Sequence, residues 1–365
     1  MAADDLPGGR GPQRPQRPLR ITALAGGIGG ARFLRGLLTH LEHTGPAPDA
    51  GPRPAPEPAP ELTVIGNTGD DITLHGLRVC PDLDTVMYTL GGGIHEGQGW
   101  GRADETFCVA DELRSYGRGP QWFTLGDRDL ATHVVRTELL RSGLPLSEVT
   151  RRLCERWRPP GTAEVRLLPM SDDPVETHVF LDDDRVVHFQ EWWVGLHAAV
   201  PARRIVPLGA ADAAPAPGVL EAVEQADVVL LPPSNPVVSI GTILAVPGIR
   251  EALRTTRAPV VGVSPIIGGA PVRGMADACL ATLGLPTTES AVAGLYDGLL
   301  DAWLVSEEDL AALDEAERSA RGERYLLLGR PLLMTGLDTA ADLAAAALDT
   351  ALALIPGVTH GTAGP

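Results

Sequence analysis

Four aspartates stand in two groups, Asp70-Asp71 and Asp82-Leu83-Asp84, on either side of a short excursion that carries His75. Carboxylates grouped this way suit a hard cation such as Mg2+, which takes one or two protein oxygens and keeps its other places for water and phosphate. Upstream, Gly26-Gly27-Ile28-Gly29-Gly30 offers backbone amides where an apolar strand gives way to a helix, a geometry that favours phosphate. Diphosphate with magnesium is the economical reading of the two together. Asp71 and Asp84 are assigned to the metal and the chemistry, ahead of Asp70 and Asp82. The competing reading makes these aspartates helix caps and solvated turns.

The glycine segment also excludes. A dinucleotide fingerprint needs a third glycine where the helix packs on the strand, and counting from Gly27 that place is held by Arg32. A nucleoside-triphosphate P-loop needs lysine followed by Ser or Thr. The chain has no lysine at all; its 30 basic residues are all arginine. Schiff-base chemistry, pyridoxal phosphate anchoring and lysine adenylation are therefore excluded.

The elements that must position these residues follow from the apolar pattern. Arg20 to Ala25 reads as a buried strand, Ala31 to Leu41 as a helix with Phe33, Leu34, Leu37 and Leu38 on one face, and Leu62 to Ile65 as a second strand ending in Asn67-Thr68-Gly69-Asp70-Asp71. Residues 104–157 have helical patterns and predict a cap. Val175 to Leu181, Asp182-Asp183-Asp184 and Arg185 to Trp193 predict a hairpin. The strand–helix rhythm then returns, with Asp227 to Leu231 a strand, Ile240 to Arg254 one amphipathic helix and Pro259 to Val263 a strand. Residues 306–365 predict an acidic helix, a strand at Tyr325 to Leu328 and an alanine-rich helix at 338–354. This alternation predicts an α/β fold, a doubly wound, mostly parallel Rossmann-like sheet with a mainly helical cap. Residues 1–18 read as a disordered leader, and 44–60 as a proline-rich insertion.

Further strand ends carry polar residues. Ser234, Asn235 and Ser239 follow the strand at 227–231, and Ser264 follows that at 259–263; helix capping explains them equally well. The run Gly126 to His133 offers both signs of charge, or an ion-paired helix start. Met170-Ser171-Asp172-Asp173 reads as a third acidic turn, Trp192 and Trp193 read as core, and His178 and His188 face each other across the hairpin.

A formal net charge of −17 leaves no basic stripe for a nucleic acid. No apolar run is long enough to span a bilayer, no apolar signal core is present, and four scattered cysteines read as reduced thiols, so a cytoplasmic location is expected.

The succession Leu-Ala-Gly-Gly-Ile-Gly-Gly-Ala-Arg-Phe, Asn-Thr-Gly-Asp-Asp, Pro-Asp-Leu-Asp-Thr-Val, Leu-Gly-Asp-Arg-Asp-Leu-Ala-Thr-His, Leu-Pro-Met-Ser-Asp-Asp, Pro-Ser-Asn-Pro-Val-Val-Ser-Ile and Val-Ser-Pro-Ile-Ile-Gly-Gly-Ala-Pro-Val resembles the 2-phospho-L-lactate transferase (CofD/FbiA) family. The motifs run in unbroken order from residue 20 to about 305. Residues 19–305 are therefore expected to form the transferase domain, with cap and hairpin at 104–200 and residues 306–365 as an extension packed on or flanking it.

The resemblance implies transfer of a phosphoenolpyruvyl or 2-phospho-L-lactyl group from a guanosine diphosphate-linked donor to the ribityl hydroxyl of the deazaflavin Fo, releasing GMP, in coenzyme F-420 biosynthesis. It also points to a homodimer. By resemblance, Asp84 and Thr124 lie against Fo. The amides of Gly26, Gly27, Gly29 and Gly30, with Asn67, would hold the diphosphate, and Ser234, Asn235 and Ser264 suit guanosine or donor phosphate. One carboxylate near the alcohol would accept its proton or hold the metal. A different nucleotide-diphosphate-dependent transferase and a non-catalytic GDP-binding regulator remain the alternatives.

Overall fold

Uninterrupted apolar runs make strands buried on both faces, and such strands belong inside a parallel sheet. A computed structural model, which describes residues 17–43 and 58–356, contains a sheet of seven strands, the inner ones buried and the two edge ones partly exposed. They are β1 (Arg20–Ala25), β2 (Glu61–Gly66), β3 (Glu164–Pro169), β4 (Val228–Leu231), β5 (Val260–Val263), β6 (Ala302–Val305) and β7 (Leu326–Gly329). The sheet order is β7-β6-β5-β4-β1-β2-β3, with every neighbouring pair parallel. Ile21 stands beside Leu62 on one side and Val228 on the other. The winding direction reverses between β1 and β4, and ligands bind at the carboxyl ends of strands at such a point. The doubly wound parallel sheet is thus as expected.

Two apolar layers sandwich the sheet. On one face α1 (Gly27–His43), α2 (Pro81–Leu90) and the C-terminal helix Leu337–Leu354 bring Phe33, Leu37, Leu83 and Leu348 onto Ile21, Ala23, Val64 and Val261. On the other, Ile243, Ile249 and Trp303 gather with Leu24, Ile65 and Val229. Residues of β1 therefore alternate between the layers, as the pleat requires. The alanine-rich helix covers the sheet: Ala340, Ala344, Ala347 and Ala351 are buried, and a Cβ on Gly36 of α1 would stand 2.3 Å from the Ala340 carbonyl oxygen.

Between β2 and β3 lie α3 (Cys108–Ser115), α4 (Asp127–Arg141) and α5 (Leu146–Cys154). Glu176–Leu181 pairs antiparallel with Val186–His188 on one side and Ala202–Leu208 on the other. His178 does stand opposite His188, their rings 5.6 Å apart. The acidic stretch after β6 forms two short helices, Glu307–Ala312 and Glu315–Gly322. No single helix among the described residues is long and apolar enough to cross a membrane. Residues 1–16 of the expected leader and 44–57 of the expected insertion lie outside the described residues.

Three local expectations are corrected. The first helix starts at Gly27 rather than Ala31, taking the glycines into its first turn. The segment 240–254 is not one helix: a π-helical turn (Pro236–Ile240) and Gly241–Ala245 are followed, after Val246-Pro247-Gly248, by Ile249–Thr255 bent away by 87°. Pro247 and the left-handed Gly248 (φ 92°) stop the periodicity that the apolar pattern alone carries through. The second hairpin arm ends at His188, and Trp192 lies in a π-helical turn, Glu191–Gly195, packed with Val179, Leu181 and Phe189.

Candidate functional site at the sheet switch point

The first turn of α1 packs directly on the loop after β4. Gly26 N–H donates to Ser234 Oγ at 3.2 Å. A Cβ would lie 2.3 Å from the Pro233 carbonyl oxygen at Gly29, 2.5 Å from Ser234 Oγ at Gly30 and 2.4 Å from Asp82 Oδ2 at Gly26. Only glycine permits these approaches. Gly27 adds a left-handed φ of 64° at the start of the helix. Three of the four glycines are therefore needed for close packing, and the N–H of Gly27 is directed at the carboxylate of Asp82.

The four aspartates are all buried, at most 6 % exposed. Asp82 repels Asp70, as its neighbour Asp71 does more weakly, and Asp84 repels Asp71. Asp70 and Asp82 share the Asn67 carboxamide, whose Nδ2 donates to Asp70 Oδ1 at 3.3 Å and Asp82 Oδ2 at 2.9 Å. Gln190 Nε2 donates to Asp70 Oδ2 at 3.0 Å, while the Ser239 hydroxyl and Gly27 N–H donate to Asp82. Burial, with the facing Asp82, holds Asp70 well above the usual carboxylate range, against the donors Asn67 and Gln190. Burial raises Asp82 to about 6 despite its three donors. No arginine pairs with either carboxylate among the described residues.

The other pair is neutralised. Arg136 on α4 donates to both oxygens of Asp84, its Nη1 to Oδ2 at 3.0 Å and its Nη2 to Oδ1. It also lies 3.1 Å from His133 Nδ1. Arg78 Nη2 lies 3.7 Å from Asp71 Oδ2, while its Nη1 donates to Glu176 at 2.5 Å. Neither Asp71 oxygen has a hydrogen-bond partner among the described residues. Burial pushes Asp71 up to about 7, against the pull of Arg78. Its carbonyl accepts from His188 Nε2 at 3.2 Å, and burial lowers His188 to about 4 and so keeps it neutral. Asp84, Asp129 and His133 bring ligand atoms within 4.8 Å of one another, an arrangement open to a metal ion. Tyr88 Oη donates to Asp129 Oδ1 at 2.7 Å.

The remaining residues singled out in the sequence are dispersed. Asn235 caps the turn after β4, accepting from the N–H of Val237 and Val238 at 2.9 and 3.2 Å. Ser264 spends its hydroxyl on Ile266, donating to O at 2.9 Å and accepting from N at 3.1 Å. Thr124 is exposed and lines a separate recess with His75, Val109, Arg114, Gln121 and Phe123. Asp127 and Asp172 are caps: the first accepts from Cys108 N and Val109 N, the second from Ser147 N and Oγ. Arg78, Arg136 and Gln190 escaped the sequence reading as site residues. Arg136 follows His133 by one helical turn, and that spacing is the signal for it.

A family model described as 2-phospho-L-lactate transferase CofD matches residues 21–325. A phosphoenolpyruvate transferase of Kitasatospora aureofaciens is 60 % identical over 346 residues, covering 94 % of this chain and 99 % of that protein. Phosphoenolpyruvate transferases of Streptomyces coelicolor and Thermobifida fusca are 59 % and 58 % identical, over 91 % and 92 % of this chain and 98 % of each relative. A crystal structure of a UPF0052 family member from Bacillus halodurans shares the fold, with a TM-score of 0.54 at 17 % identity over 91 % of this chain and 99 % of that one. By this match over most of its length, the chain belongs to the CofD family of transferases.

Proposed function

We propose that this protein transfers a phosphoenolpyruvyl or 2-phospho-L-lactyl group from a guanosine diphosphate-linked donor to the ribityl hydroxyl of Fo, releasing GMP, as a step of F-420 biosynthesis. The names of the relatives support the three-carbon phosphate group; Fo and the guanosine donor come from the resemblance. The observation that carries the site is the Asp70–Asp82 pair, without an arginine, set against the Gly27 amide at the switch point. A diphosphate at the glycine-rich start of α1 would come close to the Asp70 and Asp82 carboxylates, and a divalent cation held by them would offset the repulsion between the anions.

The donor set suits magnesium: two buried carboxylates that share the Asn67 amide, with no guanidinium on either among the described residues. Asp84 is less suited, because Arg136 covers both of its oxygens. We therefore place the metal on Asp70 and Asp82, in preference to Asp71 and Asp84. When bound, magnesium would offset charge on the donor phosphates and the departing GMP. Asp71, buried beside Arg78 and with its affinity for protons raised to about 7, is suited to accept the alcohol's proton. By the resemblance, Fo lies against Thr124, an exposed residue beside Phe123 and Gln121.

Calorimetric titration with Fo, in GDP plus magnesium and again in EDTA, tests the reading. Fo binding that requires nucleotide or metal supports it. Turnover of a nucleotide donor without any Fo response favours another transferase. GDP binding unchanged in Asp70→Asn and Asp82→Asn variants, again without Fo binding, favours a regulator.

A further inference from the structure

Arg32 and Arg273, 241 positions apart in the chain, reach one spot on the flank of α1. Gly99 marks it. A Cβ there would lie 3.5 Å from Arg32 Nη2, 3.5 Å from Arg273 Nη1 and 2.8 Å from the Ile28 side chain. Ile28 is in the first turn of α1 and Arg32 in the next, so the spot flanks the glycine-rich start of that helix. Arg273 follows a short hairpin (Ile266–Ile267 with Ala270–Pro271) that leaves the end of β5. Its Nη2 donates to the Gln98 carbonyl at 2.5 Å, which ties the two loops together over α1.

Neither arginine pairs with a carboxylate among the described residues, in a chain where 47 acidic groups outnumber 30 basic ones. Arg35, one turn further along α1, does find such a partner, Glu96 at 2.5 Å. Two guanidiniums left facing each other repel, and an oxyanion between them turns that repulsion into paired, charge-assisted hydrogen bonds. The Gly99 backbone, left-handed at φ 76°, keeps the space between them open.

We propose that Arg32 and Arg273 form a clamp for the carboxylate of the three-carbon acid carried by the donor. The inference deepens the function proposed above and rests on it for the identity of that acid. Both candidate acids place a carboxylate on the carbon next to the phosphoester oxygen, so it enters the crevice within reach of whatever holds the phosphate. Phosphate at the Gly27–Asp82 end leaves this second anion to be met from the flank, where the two arginines stand. A phosphate of the nucleotide presents similar oxyanion chemistry, and the test separates the two sources.

Residue-resolved phenylglyoxal labelling of the full-length protein, read by peptide mass spectrometry, measures access to each arginine in the presence of phosphoenolpyruvate, inorganic phosphate or GDP. Phosphoenolpyruvate is expected to slow labelling of both Arg32 and Arg273 at lower concentrations than the other two probes. In Arg273→Gln, at an exposed loop position, protection of Arg32 should need about tenfold more phosphoenolpyruvate, as loss of one charge-assisted contact predicts. Protection by GDP or inorganic phosphate at equal or lower concentration overturns the carboxylate assignment. Absence of protection by all three probes overturns the clamp altogether. Nucleotide- and metal-dependent Fo binding is scored separately on the wild-type protein, so failure of the transferase reading stays distinguishable from failure of the clamp.

Discussion

Asp70 and Asp82 are held together by one side chain, the Asn67 carboxamide, which donates to both at 3.3 and 2.9 Å. Neutral donors of this kind orient carboxylates without cancelling their charge, whereas Arg136 both orients and neutralises Asp84. The site thus separates two carboxylates available to a cation from two already in an arginine network.

Replacing Asp70 or Asp82 by Asn should lower turnover more than about a hundredfold, since the metal's charge stabilisation amounts to several kcal/mol. The fold should survive, because both positions already accept hydrogen bonds that an amide oxygen can take. Thermal melts with and without magnesium check this: the wild type should gain stability with the metal and the variants should not. A magnesium shift retained in both variants would move the metal elsewhere.

Asp71 gives a pH dependence of definite sign. Its folded value of about 7 lies above the ordinary aspartate value of 3.8, so the native state binds the extra proton between them. The contribution of this group to stability is fully present below pH 4 and is lost as pH rises through 7. Asp71→Asn should therefore stabilise the metal-free protein at pH 8 by roughly 2 kcal/mol, part of the gain being lost to the new amide's own unpaired groups. At pH 4 the gain should vanish. Urea unfolding at the two pH values measures it, and turnover should fall in the same variant.

Asp84→Asn should instead destabilise, by about 3–5 kcal/mol, because it leaves the Arg136 guanidinium buried without its counter-ion. The double variant with Arg136→Met should recover much of that loss. A double-mutant cycle in urea reads the coupling directly, and a fully stable single variant would show the pair to be dispensable.

Gly29→Ala places a methyl group against the Pro233 carbonyl, 2.3 Å from the ideal Cβ position. Overpacking of this kind costs about 1–3 kcal/mol. The midpoint of chemical unfolding should drop accordingly, and any fall in donor affinity should be judged after that correction. An unchanged midpoint would mean that the loop after β4 yields freely.

Much of the architecture was legible in the chain. The apolar runs at Ile21–Ala25, Leu62–Ile65 and Val228–Leu231 specify strands, and their alternation with helices specifies a doubly wound sheet, because both patterns are local. The alanine-rich helix was legible for the same reason. The break at Val246-Pro247-Gly248 was in principle legible too, since proline and glycine are its cause, but an apolar periodicity running past them hid it.

What the sequence by itself determined is the inventory: four aspartates near a glycine-rich helix start, arginine as the sole strong cation, and the strand–helix alternation of a parallel sheet. Which aspartates remain available was decided only by the tertiary structure. Adjacent Asp70 and Asp71 join different partners, and Asp82 and Asp84, two apart on α2, point about 200° apart around the helix axis. The arginine that neutralises Asp84 lies 52 positions away on α4. Likewise the glycines read as open amides, yet Pro233 and Ser234, from a strand brought alongside by the fold, are what require them. Charge balance and close approach depend on neighbours in space, and local pattern carries no record of them.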